Sequence, residues 1–246
     1  MLIKEAVAAV GFAARVLTWL HVHWGEIRLR FQSYVVYRNR RVRVSMASLL
    51  RITLRDQYLL VRGHRIPDQY QPPGGVYKFY PGAKNILDAL GLVGDVFLKD
   101  DVDSKDDLRR VLQRGSRLPA FLEWFHSREN RELDPRREFH DELVATGILD
   151  ADLFADLRTR WVRSVGVGIR FSPELDIPEY LFADVFEVLL APEQENALLE
   201  LQRVESDQYR FVDERCIGSY GQSCGIRVGS HTWKIVPGAK EPARRS

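Results

Sequence analysis

Three carboxylates stand close together in the run Arg137-Glu138-Phe139-His140-Asp141-Glu142. Spacings of three and four residues put Glu138, Asp141 and Glu142 on one face of an α-helix. Packed that way they repel, and a divalent cation would relieve the repulsion. Clustered hard oxygen ligands suit Mg2+ or Mn2+, and such a site can hold a pyrophosphate and activate water. The competing reading is a solvated acidic face balanced by Arg136 and Arg137, because acid pairs at these offsets are frequent on helix surfaces. Upstream, Gln71-Pro72-Pro73-Gly74-Gly75 is a breaker-rich loop, and Lys78 and Tyr80 behind it are candidates for contacting a phosphate or a base. A surface lysine on a strand is the plainer alternative for Lys78.

The acidic run needs an element to carry it. Asp134 suits a helix N-cap, Pro135 the first helical position and Gly147 the C-terminal cap. A helix is therefore predicted over 134–146, with Phe139, Leu143 and Val144 as its packing face. Strands are predicted over 48–54 and 57–62 around an Arg55-Asp56 turn, and a loop over 69–75. Further strands are expected over 76–80, 160–171, 180–190, 209–212, 226–228 and 232–236. Residues 95–107 read as a charged loop. Helices are expected over 119–126, with Phe121, Leu122, Trp124 and Phe125 in the core, and over 192–202 with a proline near the start. Gly166 and Gly168 mark a bulge or close packing within a strand. Trp161 and Trp233 are expected in the core or at its rim. Interspersed strands and helices make this an α/β protein, a mixed sheet sandwiched by helices.

The bulk properties agree with an ordinary globular chain. There are 246 residues, 45% of them hydrophobic, and a net charge of +2, so no nucleic-acid partner is expected from global charge. Local charge is uneven. Arg28, Arg30, Arg38, Arg40, Arg41 and Arg43 form a run without an acid, which is either a solvated strand face or a contact for phosphate, anionic lipid or an acidic partner. Residues 6–25 carry no charge except Arg15. About twenty apolar residues span a bilayer, but a central arginine costs about 2.5 to 3.5 kcal/mol there. The segment reads either as a membrane anchor or as an amphipathic helix packed on the domain or on another subunit. It lacks the small-residue cleavage site of a signal peptide. Cys216 and Cys224 are no disulfide framework and are expected as reduced thiols. The organisation expected is an N-terminal helix and basic segment (1–45), one domain (46–236) and a flexible tail (237–246).

Arg137 to Glu142 resembles the core of the Nudix box, Arg-Glu-aliphatic-any-Glu-Glu, and Pro73-Gly74-Gly75 resembles the Pro-Gly-Gly before that box. The resemblance implies a Nudix-like α/β fold with Glu138, Asp141 and Glu142 as Mg2+ ligands. Glu142 and Glu138 would be the catalytic carboxylates. Arg137 would orient them, and Gly74, Gly75 and Lys78 would contact ligand. Glu129 stands at the offset of the box's upstream glutamate. The chain departs from the pattern in four ways: some sixty residues separate Gly75 from Arg137, Glu123 replaces the leading glycine, Asp141 replaces a glutamate, and the closing glycine comes late, at Gly147, which lengthens the helix. The segments 71–78, 121–125 and 131–139 are most similar to a narrower group, the SMODS-associated Nudix domains. These accompany cyclic-oligonucleotide synthases in bacterial antiphage systems called CBASS and are often joined to transmembrane helices. That resemblance implies an effector that binds a cyclic oligonucleotide and acts at the membrane or by self-association as a homo-oligomer. Its place would be the bacterial cytoplasm or the cytoplasmic face of the inner membrane. The alternative is a Mg2+-dependent hydrolase of nucleoside diphosphate derivatives.

Overall fold

The computed structural model describes residues 19, 23–63, 66, 68–95, 97 and 105–241. Most of the apolar segment 6–25, most of the charged loop 95–107 and the end of the tail lie outside these residues. Among the described residues no helix is long and apolar enough to cross a membrane.

Helix α1 (residues 23–31) continues into a π-helical turn, Gln32–Val36. Eleven strands follow among the described residues: β1 Val42–Arg51, β2 Thr53–Leu54, β3 Gln57–Arg62, β4 Gln69–Gln71, β5 Gly74–Val76, β6 Leu92–Gly94, β7 Arg109–Leu112, β8 Thr159–Ser172, β9 Ile177–Val188, β10 Tyr209–Val212 and β11 Arg227–Val228. One sheet has the order β6-β7-β1-β9-β8, with β5 also paired to β1. The other runs β10-β3-β4-β11, with β2 on β3. The remaining helices are α2 Lys84–Ala89, α3 Leu118–Ser127, α4 Arg136–Phe139, α5 Pro192–Arg203 and α6 Glu214–Gly218. This is the mixed α/β architecture that the alternation of elements predicts, with a helix ahead of the first strand.

The chain divides into two compact units. The first comprises Met1–Ser45, Phe79–Arg131 and Val167–Leu181. Here β7 pairs antiparallel with β6 and with residues 42–45 of β1. Helix α3 buries Phe121, Leu122, Trp124 and Phe125, the four residues its periodicity marks as core. Gly168 has φ +74°, and a Cβ there would press on the Gln32 side chain, which exchanges two 3.0 Å hydrogen bonds with the backbone of Ile169. That is the close packing expected of this glycine. The basic run is not uniformly solvated: Arg43 is buried, bonded to Asp95 at 2.9 Å and to Glu179 at 2.6 Å.

The second unit comprises Met46–Lys78, Glu132–Gly166 and Phe182–Ser246. Its core gathers Leu50, Ile52, Leu54, Leu59 and Val61 from β1–β3 with Phe139, Leu143, Leu198 and Tyr209. Burial of each such side chain stabilises by about 1.5 to 3 kcal/mol relative to exposure.

Four expectations are corrected. Residues 69–75 are not a loop throughout: β4 and β5 form there, because β3 and β1 offer them open edges. Residues 76–80 make no continuous strand: Val76 ends β5, and beyond it Phe79 forms an isolated bridge to Arg131. Residues 232–236 are not a strand: Thr232–Ile235 is a 3-10 helix whose N–H groups bond locally, Lys234 to the His231 carbonyl and Val236 to the Trp233 carbonyl, both at 3.1 Å, while Arg163 takes the carbonyls of Lys234 and Val236 at 2.6 and 2.8 Å. Cys216 and Cys224 are a disulfide rather than free thiols, since the turn through Gly221 brings their Cα atoms to 5.6 Å. Trp233 is buried, whereas Trp161 is exposed.

The Arg43 pair makes the first test. Replacing Arg43 by methionine leaves the fully buried Asp95 carboxylate without this partner. Removing one partner of a buried ion pair costs about 3 to 5 kcal/mol, so Arg43→Met is expected to lower the urea midpoint accordingly. An unchanged midpoint would show that the second guanidinium near Asp95, Arg109 at 3.5 Å, suffices to neutralise it.

Candidate functional site

The acidic helix is shorter and less regular than capping predicts. Asp134 accepts from the Arg136 N–H at 3.0 Å but stands two residues before α4, whose N-cap is Pro135. After Phe139 the helix loosens into a π-turn, His140–Val144, closed by the Ala145 N–H on the His140 carbonyl at 2.8 Å. Gly147, at φ +74°, ends the turn as its cap position predicts. A π-turn uses more residues per revolution than an α-turn. Each residue past Phe139 is therefore rotated less, and Glu142 is swung back over Glu138 while Asp141 is left outside. Glu138 is buried; Asp141 is exposed, 3.7 Å from Arg137 and 3.4 Å from His140.

The glycine loop meets this helix directly. Strand β5 lies antiparallel on β1, with Gly75 opposite Ser48 and Gly74 opposite Leu49. Gly74 has φ +142°, and a Cβ on it would overlap the Ser48 carbonyl. Its N–H donates to Glu142 Oε2 at 2.7 Å. A Cβ on Gly75 would occupy the space that the Glu138 carboxyl group fills. Both glycines are thus required by close approach, one to a strand and one to a carboxylate.

Arg137 ties the parts together. It donates to both Glu132 oxygens at 3.0 Å, to the Val76 carbonyl at 3.1 Å, and lies 2.6 Å from Glu138 Oε1. Burial pulls against its charge, but the bonds to Glu132 and the charges of Glu138 and Glu132 win, and its pKa rises. Glu132 also fastens the chain to itself. Its N–H donates to the Lys78 carbonyl at 2.8 Å, and its carboxylate accepts from the Lys78 N–H at 3.1 Å. The chain therefore leaves at Lys78 and returns at Glu132 side by side. Residues 79–131, which separate the glycine loop from the acidic helix in sequence, are an excursion that ends where it began.

Of the residues singled out in sequence, Gly74, Gly75, Arg137, Glu138 and Glu142 come together. Lys78 joins through its backbone. Tyr80 and Glu129 are exposed and belong to the first unit. Glu132 is the residue that sequence reasoning passed over. The only trace of it is an acid five residues before Arg137, which has no regular helical meaning because the intervening chain is not yet helix.

The electrostatics are those of a crowded carboxylate pair. Burial first, then the charges of Glu138 and Asp141, push the Glu142 carboxyl up to about 8, opposed by the Gly74 N–H. Burial likewise raises Glu138, and Arg137 opposes it. Among the described residues no three histidine, cysteine or acidic side chains are gathered as a metal cluster. The donor chemistry of Glu138 and Glu142 still fits a hard divalent cation, since two mutually repelling carboxylates share one guanidinium and one N–H.

Residues 41–236 match the family model described as SMODS-associated NUDIX domain. No curated protein matches the chain.

Two tests follow from the geometry. Gly74→Ala, which would strike the β1 backbone at a left-handed φ, is expected to destabilise more than Gly75→Ala, which displaces only the Glu138 carboxylate. Overpacking of the second kind costs about 1 to 3 kcal/mol, and denaturant midpoints would rank the two. The second test is pH dependence. Glu142 keeps its proton in the folded state up to about 8, whereas an unfolded glutamate releases it near the ordinary 4.5. Its contribution to stability is thus full below about 4.5, falls as pH rises and is flat above about 8. Glu142→Gln is expected to stabilise the metal-free protein at pH 8 but not at pH 4.5. Parallel melting curves of the two proteins across that range would contradict the assignment.

Proposed function

Because the chain belongs to the SMODS-associated Nudix family, we propose that it is an effector of a bacterial antiphage system that binds a nucleotide second messenger, a cyclic oligonucleotide, through this domain. The observation that carries the reading is the Gly74-Gly75 loop closed over Glu138 and Glu142. It sets one carboxylate against Gly74 and the other against Gly75. Nudix domains generally use divalent metal ions, and Glu138 and Glu142 would hold one, with Asp141 at the rim. A bound Mg2+ would neutralise ligand phosphate charge. Arg137 keeps the Glu138 carboxylate fixed against the loop. Gly74 orients Glu142 by its N–H. The output would be action at the cytoplasmic face of the membrane through the N-terminal segment, or self-association.

A second reading is hydrolysis of a nucleoside diphosphate derivative. It is favoured by the intact Arg137–Glu138 contact and by a Glu142 carboxyl that burial raises to about 8, towards the range in which a carboxyl exchanges protons at working pH. In that reading Glu142 would accept the proton of an attacking water.

Thermal denaturation of the full chain with cyclic di- and trinucleotides, linear dinucleotides and nucleoside diphosphate sugars, each with and without Mg2+, separates the two. A ligand at about a hundred times its dissociation constant adds about 2.7 kcal/mol. A shift with a cyclic species is the expected result. Stabilisation or turnover confined to linear diphosphates with Mg2+, and lost in Glu142→Gln, would transfer the assignment to hydrolysis.

A further inference from the structure

A cleft of about 350 Å³ opens beside Glu142 in the second unit. Its apolar walls are Val61 on β3 and Ile148 just past the acidic helix, both buried. Its polar lining is Arg62, Thr146, Gln208 and Glu142. The volume falls in the range of pockets for small organic ligands, about 300 to 1,000 Å³.

The walls and rim describe the occupant. Two aliphatic side chains suit a flat, weakly polar ring. The Gln208 amide offers a donor and an acceptor, the pattern that an edge of a nucleobase complements. The Gln208 backbone carbonyl accepts from the Arg62 N–H at 2.7 Å, which holds this residue's backbone beside β3. The Thr146 hydroxyl donates to the Glu142 carbonyl at 2.9 Å and so presents its oxygen lone pairs outward as an acceptor. Arg62 carries the rim's positive charge; its guanidinium is half-exposed and paired with the exposed Asp68. A phosphate would compete well for it, because exposed ion pairs are worth little. Glu142 is also the carboxylate held by Gly74, so an occupant of the cleft lies next to the candidate site.

We propose that this cleft receives one nucleobase of the ligand, with its sugar-phosphate toward Arg62. The inference rests on the nucleotide-binding reading above and adds where the base is read. Gln208 and Thr146 are the specificity-determining groups. Both are exposed, so their substitution leaves the core intact.

The test is calorimetric titration of the full chain with cyclic diguanylate, cyclic diadenylate and the mixed guanine–adenine cyclic dinucleotide. Ribose 5-phosphate serves as a comparator that has no base. The variants are Thr146→Trp, which fills the cleft, and Gln208→Ala, with the melting temperature of each confirming the fold. The expected result is base-dependent binding by the native chain, weakened more than tenfold in Thr146→Trp. In Gln208→Ala the loss should be about fivefold, the worth of one hydrogen bond. Native-like binding by both variants would place the base elsewhere while leaving nucleotide binding intact. Failure of the native chain to bind any of the dinucleotides would overturn this inference together with the reading on which it rests.

Discussion

The site depends on an absence. No side chain stands at Gly75, and the Glu138 carboxyl group occupies the volume a Cβ would take. Everything else is arranged to exploit that approach. Gly74 turns its N–H onto Glu142, Arg137 braces Glu138 against Glu132 and the Val76 carbonyl, and Phe139 and Leu143 anchor the helix in the core of the second unit. Two carboxylates are thereby held under a backbone edge in a setting that favours their protonated forms. A site of this kind stores electrostatic cost until a cation or a ligand relieves it.

The residues that meet at the candidate site are legible in sequence because they are residue types with local meaning. Glycine pairs after proline, an arginine next to a glutamate, and a second glutamate four residues on are all short-range signals. The long strands β8 and β9, the helices α3 and α5 and the Arg55-Asp56 turn were legible for the same reason, since periodicity and turn chemistry act within a few residues. What stayed hidden depends on contacts across long separations. Strands β6 and β7 are short, and their pairing with each other and with β1 carries no local signature. The 3-10 helix Thr232–Ile235 has strand-like residues, and the partner that holds its carbonyls, Arg163, lies 71 positions away. The π-turn in the acidic helix was invisible because i, i+3 and i, i+4 patterns assume a regular helix.

The long gap between the glycine loop and the acidic helix looked in sequence like a breach of the family pattern. The structure gives it a simple geometry. Lys78 and Glu132 are joined by two hydrogen bonds through Glu132, and Phe79 and Arg131 form a bridge immediately beyond them. An insertion whose ends lie side by side need not disturb what flanks it, and the entropy of closing such a loop grows only slowly with its length. Glu132 is therefore both a latch for the excursion and the brace for Arg137.

The discontinuity of the second unit has a consequence for the time at which it forms. Its core unites Leu50 with Leu198 and Tyr209, and Arg163 finds acceptors at Trp233, Lys234 and Val236. On a ribosome the glycine loop emerges long before these partners exist, and synthesis proceeds at about 5 to 20 residues per second. For several seconds the nascent chain carries β1 and β3 with their apolar faces uncovered. The helix that carries the carboxylate pair packs through Phe139 and Leu143 into a core completed by Leu198 and Tyr209, so a chain released before those residues lacks part of the packing that holds the pair against its glycine edge.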